Sequence, residues 1–130
     1  MLSADSRCYA TTIRTEYAEC IASGKKKWEG RTQRQVYAKL TTMVTDRDTV
    51  CFLAGSVYIV WCEIEEVVTC GCTRKHVEIV VTPSTWREFA PWCTTHQKAV
   101  DLYVGMGDGS GYAFIRLKLP YRIRDQRSIT

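Results

Sequence analysis

The segment of residues 24–31 carries the residue types that bind anions and nucleobases. It reads GKKKWEGR and places Gly24, Lys26, Glu29 and Arg31 at fixed spacing. Glycine lets a backbone turn and a ligand approach closely, lysine supplies a point charge, and the arginine fork binds a phosphate or a base edge. A pair between Glu29 and Arg31 would hold the guanidinium in one pose, and the carboxylate would accept hydrogen bonds from exocyclic amino groups. These functions together fit a nucleotide-sized ligand.

Basic and aromatic neighbours would extend such a site. A base that stacks on an aromatic ring gains roughly 1–3 kcal/mol. In an extended segment alternate side chains share a face, so Glu29 and Arg31 lie opposite Lys26 unless the turn at Gly24 rotates Lys26 back. The second-rank candidates are Lys25, Lys27, Trp28 and Tyr17, with Tyr37 as a further nearby ring.

The distribution of charge favours an anionic partner. Residues 24–39 contain six basic residues and one acidic residue, and residues 116–127 contain five basic residues and one acidic residue. The formal net charge of the whole chain is only +4, so the rest of the chain is acidic. A positive field concentrated on two segments suits an anion, and the segments form one patch if they meet in space.

The same spacing also fits a solvated basic β-edge. Lysines discourage pairing at a sheet edge, and an exposed pair between Glu29 and Arg31 would contribute under about 1 kcal/mol. The spacing by itself leaves both interpretations open.

The elements that must position these residues are short. Helical spacing ending at Gly24 predicts a helix over residues 16–23, followed by an extended KKKWEGRT segment. The patterns TVCFLA and VYIVWCEIEEVVT predict two strands joined by a turn at Gly55 and Ser56, and HVEIVV predicts a third strand. Thr85 and Glu88 have capping-box spacing before Pro91.

The last quarter of the chain predicts a helix, a loop and a strand. THQKAVDLYVG has helical spacing, GMGDGSG is a loop, and YAFIRLKLPY alternates as a final strand up to Pro120, with a frayed or loosely docked tail beyond it. We therefore predict one α+β domain over residues 1–130: a small β-barrel of mostly antiparallel or mixed strands with two or three short helices. Its core covers about residues 9–120, with terminal extensions at residues 1–8 and 121–130.

Composition excludes several classes of protein. The chain has 130 residues, 45% of them hydrophobic and 25% charged, as expected of one globular domain without a membrane span. The first residues have neither a signal-peptide core nor transit-peptide character, so we expect an intracellular protein, cytoplasmic or nuclear. The seven cysteines are odd in number and several lie in apolar runs, which favours reduced, mostly buried thiols over disulfides.

The segment YAECIASGKKKWEGR resembles the opening signature of ASCH domains, a family with a PUA-like β-barrel. The family pattern, a short helix followed by Gly-x-Lys-x-x-Glu-x-Arg, falls on Gly24, Lys26, Glu29 and Arg31. The segments YAKLTTMVTDRDTVCF, STWREFAPWC and AVDLY…GYAFIRLKL are similar to later parts of the family, so the resemblance covers about residues 9–120. It implies that Lys26 turns toward a ligand-binding cleft with Glu29 and Arg31.

The chain departs from the family in two places. The usual Gly-Asp turn is replaced by Arg47 and Asp48, so a non-glycine residue must close that turn. The bacterial amidohydrolase members carry a threonine nucleophile three residues after the motif lysine, where this chain has Glu29. Their acyl-transfer chemistry therefore does not carry over.

Other constellations are weaker. Cys70, Cys72, His76, Cys93 and His96 form a series that resembles zinc spacing, but a C-x-C pair is unusual in structural zinc sites. The Gly-rich segment follows a helix rather than a strand, unlike a dinucleotide fingerprint, and the carboxylates of EIEE fit a solvated strand end. No nucleophile and general base have a recognisable spacing. Because the zinc-like series and the Gly-rich segment both depart from the known patterns, we expect neither a metal nor a cofactor.

The sequence thus predicts an RNA- or nucleotide-binding domain. The alternatives are a hydrolase in the same cleft and a protein-interaction module. The hydrolase would be a ribonuclease, or less plausibly an amidohydrolase of an acylated nucleoside, with Lys26 and Glu29 as its catalytic candidates. Whether the protein is an enzyme stays open at this stage. We expect RNA or a nucleotide-like ligand as partner, with a protein partner as the third option and no membrane association.

Overall fold

The structure, a computed structural model, describes residues 7–36 and 48–127. The predictions that concern Tyr37, Arg47 and the whole segment YAKLTTMVT lie outside these residues. Within them the chain forms an α+β fold with one five-stranded mixed sheet. The strands are β1 (Cys8–Thr12), β2 (Trp28–Thr32), β3 (Thr49–Ala54), β4 (Tyr58–Cys70) and β5 (Tyr112–Asp125). The helical segments are α1 (Thr15–Ala22), α2 (Gln33–Val36), α3 (Arg74–Val80), α4 (Trp86–Phe89) and α5 (His96–Met106).

The sheet has the strand order β1-β3-β4-β5-β2. Strand β1 pairs parallel to β3, and the other neighbouring strands pair antiparallel. Strands β1 and β2 are therefore the two edges, and no strand ladder joins them among the described residues. The predicted α+β class is confirmed, whereas closure into a barrel is not.

Several sequence predictions agree closely with the structure. Helix α1 begins and ends one residue before the predicted helix, and the apolar, β-branched runs form the hairpin β3–β4. Gly55, with φ of 62°, turns the chain between these two strands. Helix α5 occupies the second predicted helix, and its N-cap Thr95 accepts a hydrogen bond from Lys98 N. Local pattern was sufficient at these places because side-chain periodicity and burial agree.

The predicted third strand HVEIVV is wrong, because the structure forms helix α3 there. Thr73 caps this helix, with its side-chain oxygen accepting from His76 N at 3.3 Å. Val77 and Val81 are both buried, and residues four apart lie on one face of a helix. Cap and packing together outweigh the strand preference of the β-branched residues.

Strand β5 continues beyond Pro120 to Asp125, so the predicted strand end is wrong and residues 121–125 continue the strand instead of fraying. Proline cannot donate to a strand ladder, and the register of β4 and β5 shifts on both sides of Cys62, which lies opposite Pro120. The irregularity lets pairing resume as far as Tyr58 and Asp125. Beyond the strand, Arg127 donates to Glu19 Oε1 at 2.7 Å and anchors the tail to α1.

The predicted capping box at Thr85 does not form. The Thr85 hydroxyl instead pairs with the Thr82 hydroxyl at 2.8 Å, and no side-chain hydrogen bond caps α4. The single turn of α4 ends before Pro91, as predicted. Among the described residues there are five helical segments rather than two or three, because α2 and α3 were not predicted.

The sheet separates two apolar clusters. On one side, residues of β3 and β4 pack with Ala18 and Ile21 of α1. On the other side lies an aromatic cluster between β2, β5 and helices α3–α5. Its rings belong to Trp28, Trp86, Phe89, Tyr103, Tyr112 and Phe114. Strand β2 thus rests on the aromatic cluster, which gives the predicted binding segment a rigid support.

All seven cysteines are described and none forms a disulfide. Cys51 and Cys62 are buried, Cys8 is exposed and the other four are half-buried, so burial is less general than predicted. Burial raises the pKa of Cys62 from 9.0 to about 12 and that of Cys51 to about 11.

These two thiols predict a loss of stability in alkali. Their pKa values are raised by folding, so their stabilising contribution is complete below pH 9.0 and is lost as the pH rises toward about 11 and 12. We expect the free energy of unfolding, measured by urea denaturation in reductant between about pH 8 and pH 10, to fall as the pH rises. Cys62→Ala should flatten this slope, whereas Val60→Ala, which shortens a buried side chain of the same strand that does not titrate, should leave it unchanged. An equal dependence of the unfolding free energy on pH in both variants would contradict the conclusion that the Cys62 thiol contributes to this loss of stability.

Candidate functional site

A tight reversal after α1 brings Lys26 to the site. Gly24 has φ of 81°, a left-handed conformation that glycine adopts without strain. Gly24 N donates to Ile21 O at 3.1 Å, and Lys26 N donates to Cys20 O at 3.0 Å. Because β2 begins only at Trp28, the alternation of a strand does not apply to Lys26. The turn therefore brings Lys26 back toward Glu29, although Lys26 does not line the cavity that Glu29 and Arg31 line.

The ammonium group of Lys26 is buried among protein acceptors. Its Nζ donates to Trp28 O and Phe89 O, each at 2.6 Å, and lies 3.6 Å from Glu29 Oε1. Only 1% of the side chain is exposed. Burial lowers the pKa of Lys26, and the neighbouring carboxylate of Glu29 acts in the opposite direction. The protein thus occupies the three hydrogen-bonding directions of this group, and its charge acts on Glu29.

Glu29 and Arg31 form the predicted pair. Glu29 Oε1 accepts from Gly30 N at 3.0 Å, and Glu29 Oε2 accepts from Arg31 Nη2 at 3.3 Å. Arg31 Nη2 also donates to Thr12 O at 2.8 Å, so this side chain links the two edge strands of the sheet. Arg31 Nε is buried and has no hydrogen-bond partner among the described residues. The guanidinium therefore has donor capacity left beside a fixed carboxylate.

These two side chains line a cavity of about 390 Å³, here called the first cavity. Its walls come from the end of β1, the beginning of α1 and the strand β2. Arg14, which precedes α1, contributes a cation whose Cζ lies 5.8 Å from the centre of the Tyr17 ring. Sequence reasoning missed Arg14 because it lies outside both basic segments. The lining residues are Thr12, Ile13, Arg14, Tyr17, Glu29, Gly30, Arg31, Thr32, Met106 and Tyr112.

The aromatic candidates divide into a core ring and a surface ring. Trp28 is buried and stacks on Phe89 with ring centres 5.0 Å apart, and Arg116 covers it with Cζ at 5.5 Å. Tyr17 lines the first cavity and stacks on Trp92 with ring centres 4.0 Å apart. Trp92 was not among the predicted site residues, because it lies 75 positions after Tyr17 in the chain.

The two basic segments meet, but acids partly neutralise them. Strands β2 and β5 pair antiparallel, with Trp28 opposite Arg116. Arg116 pairs with Glu65 at 2.9 Å and Glu88 at 3.4 Å, and Lys118 pairs with Glu63 at 3.7 Å. In contrast, the exposed side chains of Lys25 and Lys27 pair with no acid within residues 7–36 and 48–127.

The remaining constellations lie elsewhere. His96 Nε2 lies 2.7 Å from Val81 O, and His76 Nδ1 lies 2.8 Å from Thr73 Oγ1, so neither histidine lines the first cavity. In the part of the chain that the structure describes, no three His, Cys, Asp or Glu side chains are grouped to hold a metal ion. The helices formed by these residues are also too short or too polar to cross a bilayer.

Close packing under the site predicts that Gly30→Ala is destabilising. A Cβ at Gly30 would lie 2.8 Å from ring atoms of both Phe114 and Tyr103, which are buried. Forcing a methyl group into a packed core costs about 1–3 kcal/mol. We expect urea denaturation to show this loss. Gly105→Ala is the control, because its Cβ meets nothing within 4 Å and alanine favours the helix α5. Equal stability of Gly30→Ala and the wild type would contradict the packing.

Because Lys26 is buried and Lys25 is exposed, replacing these two lysines should change the free energy of unfolding by very different amounts. Lys26→Met removes one donor from each of the carbonyls of Trp28 and Phe89 and leaves the buried carboxylate of Glu29 without its neighbouring ammonium, which should cost about 3–5 kcal/mol. Lys25→Met alters an exposed side chain and should change the free energy of unfolding by less than about 0.5 kcal/mol. Thermal and urea denaturation of the two variants measure the difference. Similar stability of the two would refute the buried network.

The fold has relatives of known structure. The crystal structure of the hypothetical protein PH0355 superposes with a TM-score of 0.64 at 19% identity, covering 88% of this chain and 98% of that chain. The crystal structure of ASCH from Zymomonas mobilis has a TM-score of 0.59 at 18% identity, covering 91% and 73%. The solution structure of protein PF0455 from Pyrococcus furiosus has a TM-score of 0.55 at 16% identity, covering 88% and 98%.

These likenesses establish the fold alone, because the sequence identities are low. A comparison with curated protein sequences gave no significant match. The family model described as ASCH domain matches residues 12–102, which include the turn at Gly24, strand β2 and most of α5. The matched region is more than half of the chain and contains most of the residues that line the first cavity. The chain belongs to the ASCH domain family.

Proposed function

We propose that this ASCH domain binds RNA, or a nucleotide within RNA, in the first cavity. The observation that carries the proposal is the fixed pair of Glu29 and Arg31 in the wall of an open cavity, held from behind by the buried ammonium of Lys26. A cavity of about 390 Å³ lies in the range that accommodates small ligands. Membership in the ASCH family supports a nucleic-acid ligand.

The pair offers an acceptor and a donor side by side. Glu29 Oε2 accepts hydrogen bonds from amino or ring N–H groups of a base, while the uncommitted N–H groups of Arg31 donate to a base acceptor or a phosphate. Arg14 adds a positive charge at the wall formed by α1, and Tyr17 adds an apolar face. Charge, fork and acceptor thus converge on one cavity.

Lys26 acts in this proposal as a positioning residue. Its ammonium is enclosed by protein acceptors, so it contributes by fixing Glu29 rather than by contacting a phosphate. Gly24 makes this placement possible through its turn. Lys25 and Lys27 remain exposed and add attraction for the phosphate backbone.

A hydrolase in the same cavity has less support. Glu29 stands where the amidohydrolases of the family have threonine, and neither histidine is near enough to line the cavity. Mass spectrometry of RNA incubated with the protein tests the hydrolase alternative, because shortened or altered products would establish catalysis. A protein-interaction module is the alternative that an absence of RNA binding would favour.

Fluorescence anisotropy of a labelled single-stranded RNA across a salt series tests the proposal. We expect Arg14→Ala to weaken binding about ten-fold at low salt and to reduce the log–log salt slope by about 0.7, as expected for one lost phosphate contact. Arg31→Lys should also weaken binding, because lysine retains the charge but lacks the fork. Arg87→Ala on α4 is the control, since Arg87 is exposed and lies outside the lining of the first cavity. Wild-type affinity in both Arg14→Ala and Arg31→Lys would overturn the proposal.

A further inference from the structure

A second cavity, of about 580 Å³, lies toward the other end of α1. Helix α1 lines the first cavity with Tyr17 and the second with Ile21, one helical turn later. Gly24, Lys26 and Lys27, which precede β2, also line the second cavity, whereas residues 29–32 of β2 line the first. The remaining wall of the second cavity comes from β4 and β5, including Leu119 and Tyr121, whose side chains are 78% and 45% exposed. From the order of these residues along α1 and along residues 24–32, we infer that the two cavities are neighbours.

Trp92 contacts a residue from the lining of each cavity. Its ring stacks on Tyr17 of the first cavity, with centres 4.0 Å apart and planes inclined by 14°. The Nζ of Lys26, a residue that lines the second cavity, lies 5.2 Å from the centre of the same ring. Trp92 is still 37% exposed, although tryptophan normally buries most of its surface. Trp92 itself lines neither cavity, but its exposed indole, backed by Tyr17, contacts a residue of each and offers a surface on which a base can stack.

Among the described residues, most charged side chains that line the second cavity pair with one another, and one exposed cation stays available to bind an anionic ligand. Glu63 and Glu65 face it together with Lys118 and Arg116, and each acid pairs with one of these cations. Lys27 lines the same cavity and pairs with no acid in the described part of the chain, and Lys25 is exposed beside it. The net charge presented to a ligand is therefore positive, and its source is the segment that leads into the first cavity.

We propose that the second cavity binds the nucleotide adjoining the one in the first cavity, with a base stacked on Trp92 and the linking phosphates beside Lys25 and Lys27. The inference rests on the proposed function and specifies its ligand as a single-stranded oligonucleotide. Strand geometry supports this, since Lys27 lies about 7–13 Å along the chain from Glu29 and Arg31. A ligand that engages both cavities must therefore be longer than a single base.

Length dependence of binding tests this inference. A labelled mononucleotide and labelled mixed-sequence RNAs of two, four and eight nucleotides are titrated with the wild type and with Lys25→Gln/Lys27→Gln, by anisotropy over a salt series. We expect the RNAs to bind the wild type more tightly than the mononucleotide does, and the double variant to lose about ten-fold for the eight-nucleotide RNA. Its salt slope should fall by about 1.4, as for two lost phosphate contacts. The affinity for the mononucleotide, which fills only the first cavity, should change little.

Two further variants sharpen the test. Lys75→Gln/Lys98→Gln removes the same charge from exposed positions of α3 and α5, so it controls for non-specific attraction and should bind like the wild type. Trp92→Leu should also lose about ten-fold for the longer RNAs, and the quenching of tryptophan fluorescence by RNA should shrink with it. Circular dichroism confirms that each variant is folded.

The outcomes separate the two proposals. Mononucleotide binding that depends on Arg14 and Arg31 but gains nothing from added length would overturn the proposal for the second cavity and leave that for the first intact. Equal losses in the two lysine double variants would show a non-specific charge effect and would also overturn it. Binding of no RNA at any length would overturn both proposals.

Discussion

The buried ammonium of Lys26 is the interaction on which the rest of the site depends. A charge removed from water is costly unless acceptors surround it, and here the carbonyls of Trp28 and Phe89 and the carboxylate of Glu29 do so. The carbonyl of Phe89 also accepts from Tyr103 OH at 3.0 Å, so one point joins β2, α4 and α5. The same contacts that satisfy the ammonium also hold Glu29 in place. The stability of the fold and the geometry of the site therefore depend on the same interactions.

Close packing extends this constraint to the backbone. Gly30 lies between the two functional side chains of β2, and only its lack of a Cβ lets the strand approach Phe114 and Tyr103. Those rings belong to the aromatic cluster that α3, α4 and α5 build against the sheet. The first cavity consequently has a floor of tightly packed backbone, which keeps Glu29 and Arg31 in their relative positions without a bound ligand.

The charge that the site presents depends more on ion pairs between neighbouring strands than on the number of basic residues. Strand β5 carries its cations next to acids of β4, so Arg116 and Lys118 are engaged within the protein. Among the described residues that line the two cavities, the cations left for an anionic partner are Lys27, before β2, and Arg14, at the beginning of α1. This is a narrower positive surface than the two basic segments suggested, and it follows the line of the two cavities.

The sequence by itself determined the α+β class, helix α1, the hairpin β3–β4, helix α5 and the pairing of Glu29 with Arg31. Each depends on neighbours a few residues apart, where periodicity and turn chemistry decide the structure. Helix α3 and the extension of β5 past Pro120 were missed, because a cap, burial and a register shift overrode local propensity. Only the tertiary structure decided the burial of Lys26, the ion pairs that Arg116 and Lys118 of β5 form with acids, and the stacking of Tyr17 on Trp92. These contacts join residues far apart in the chain, and their energies come from burial and pairing that no local pattern encodes.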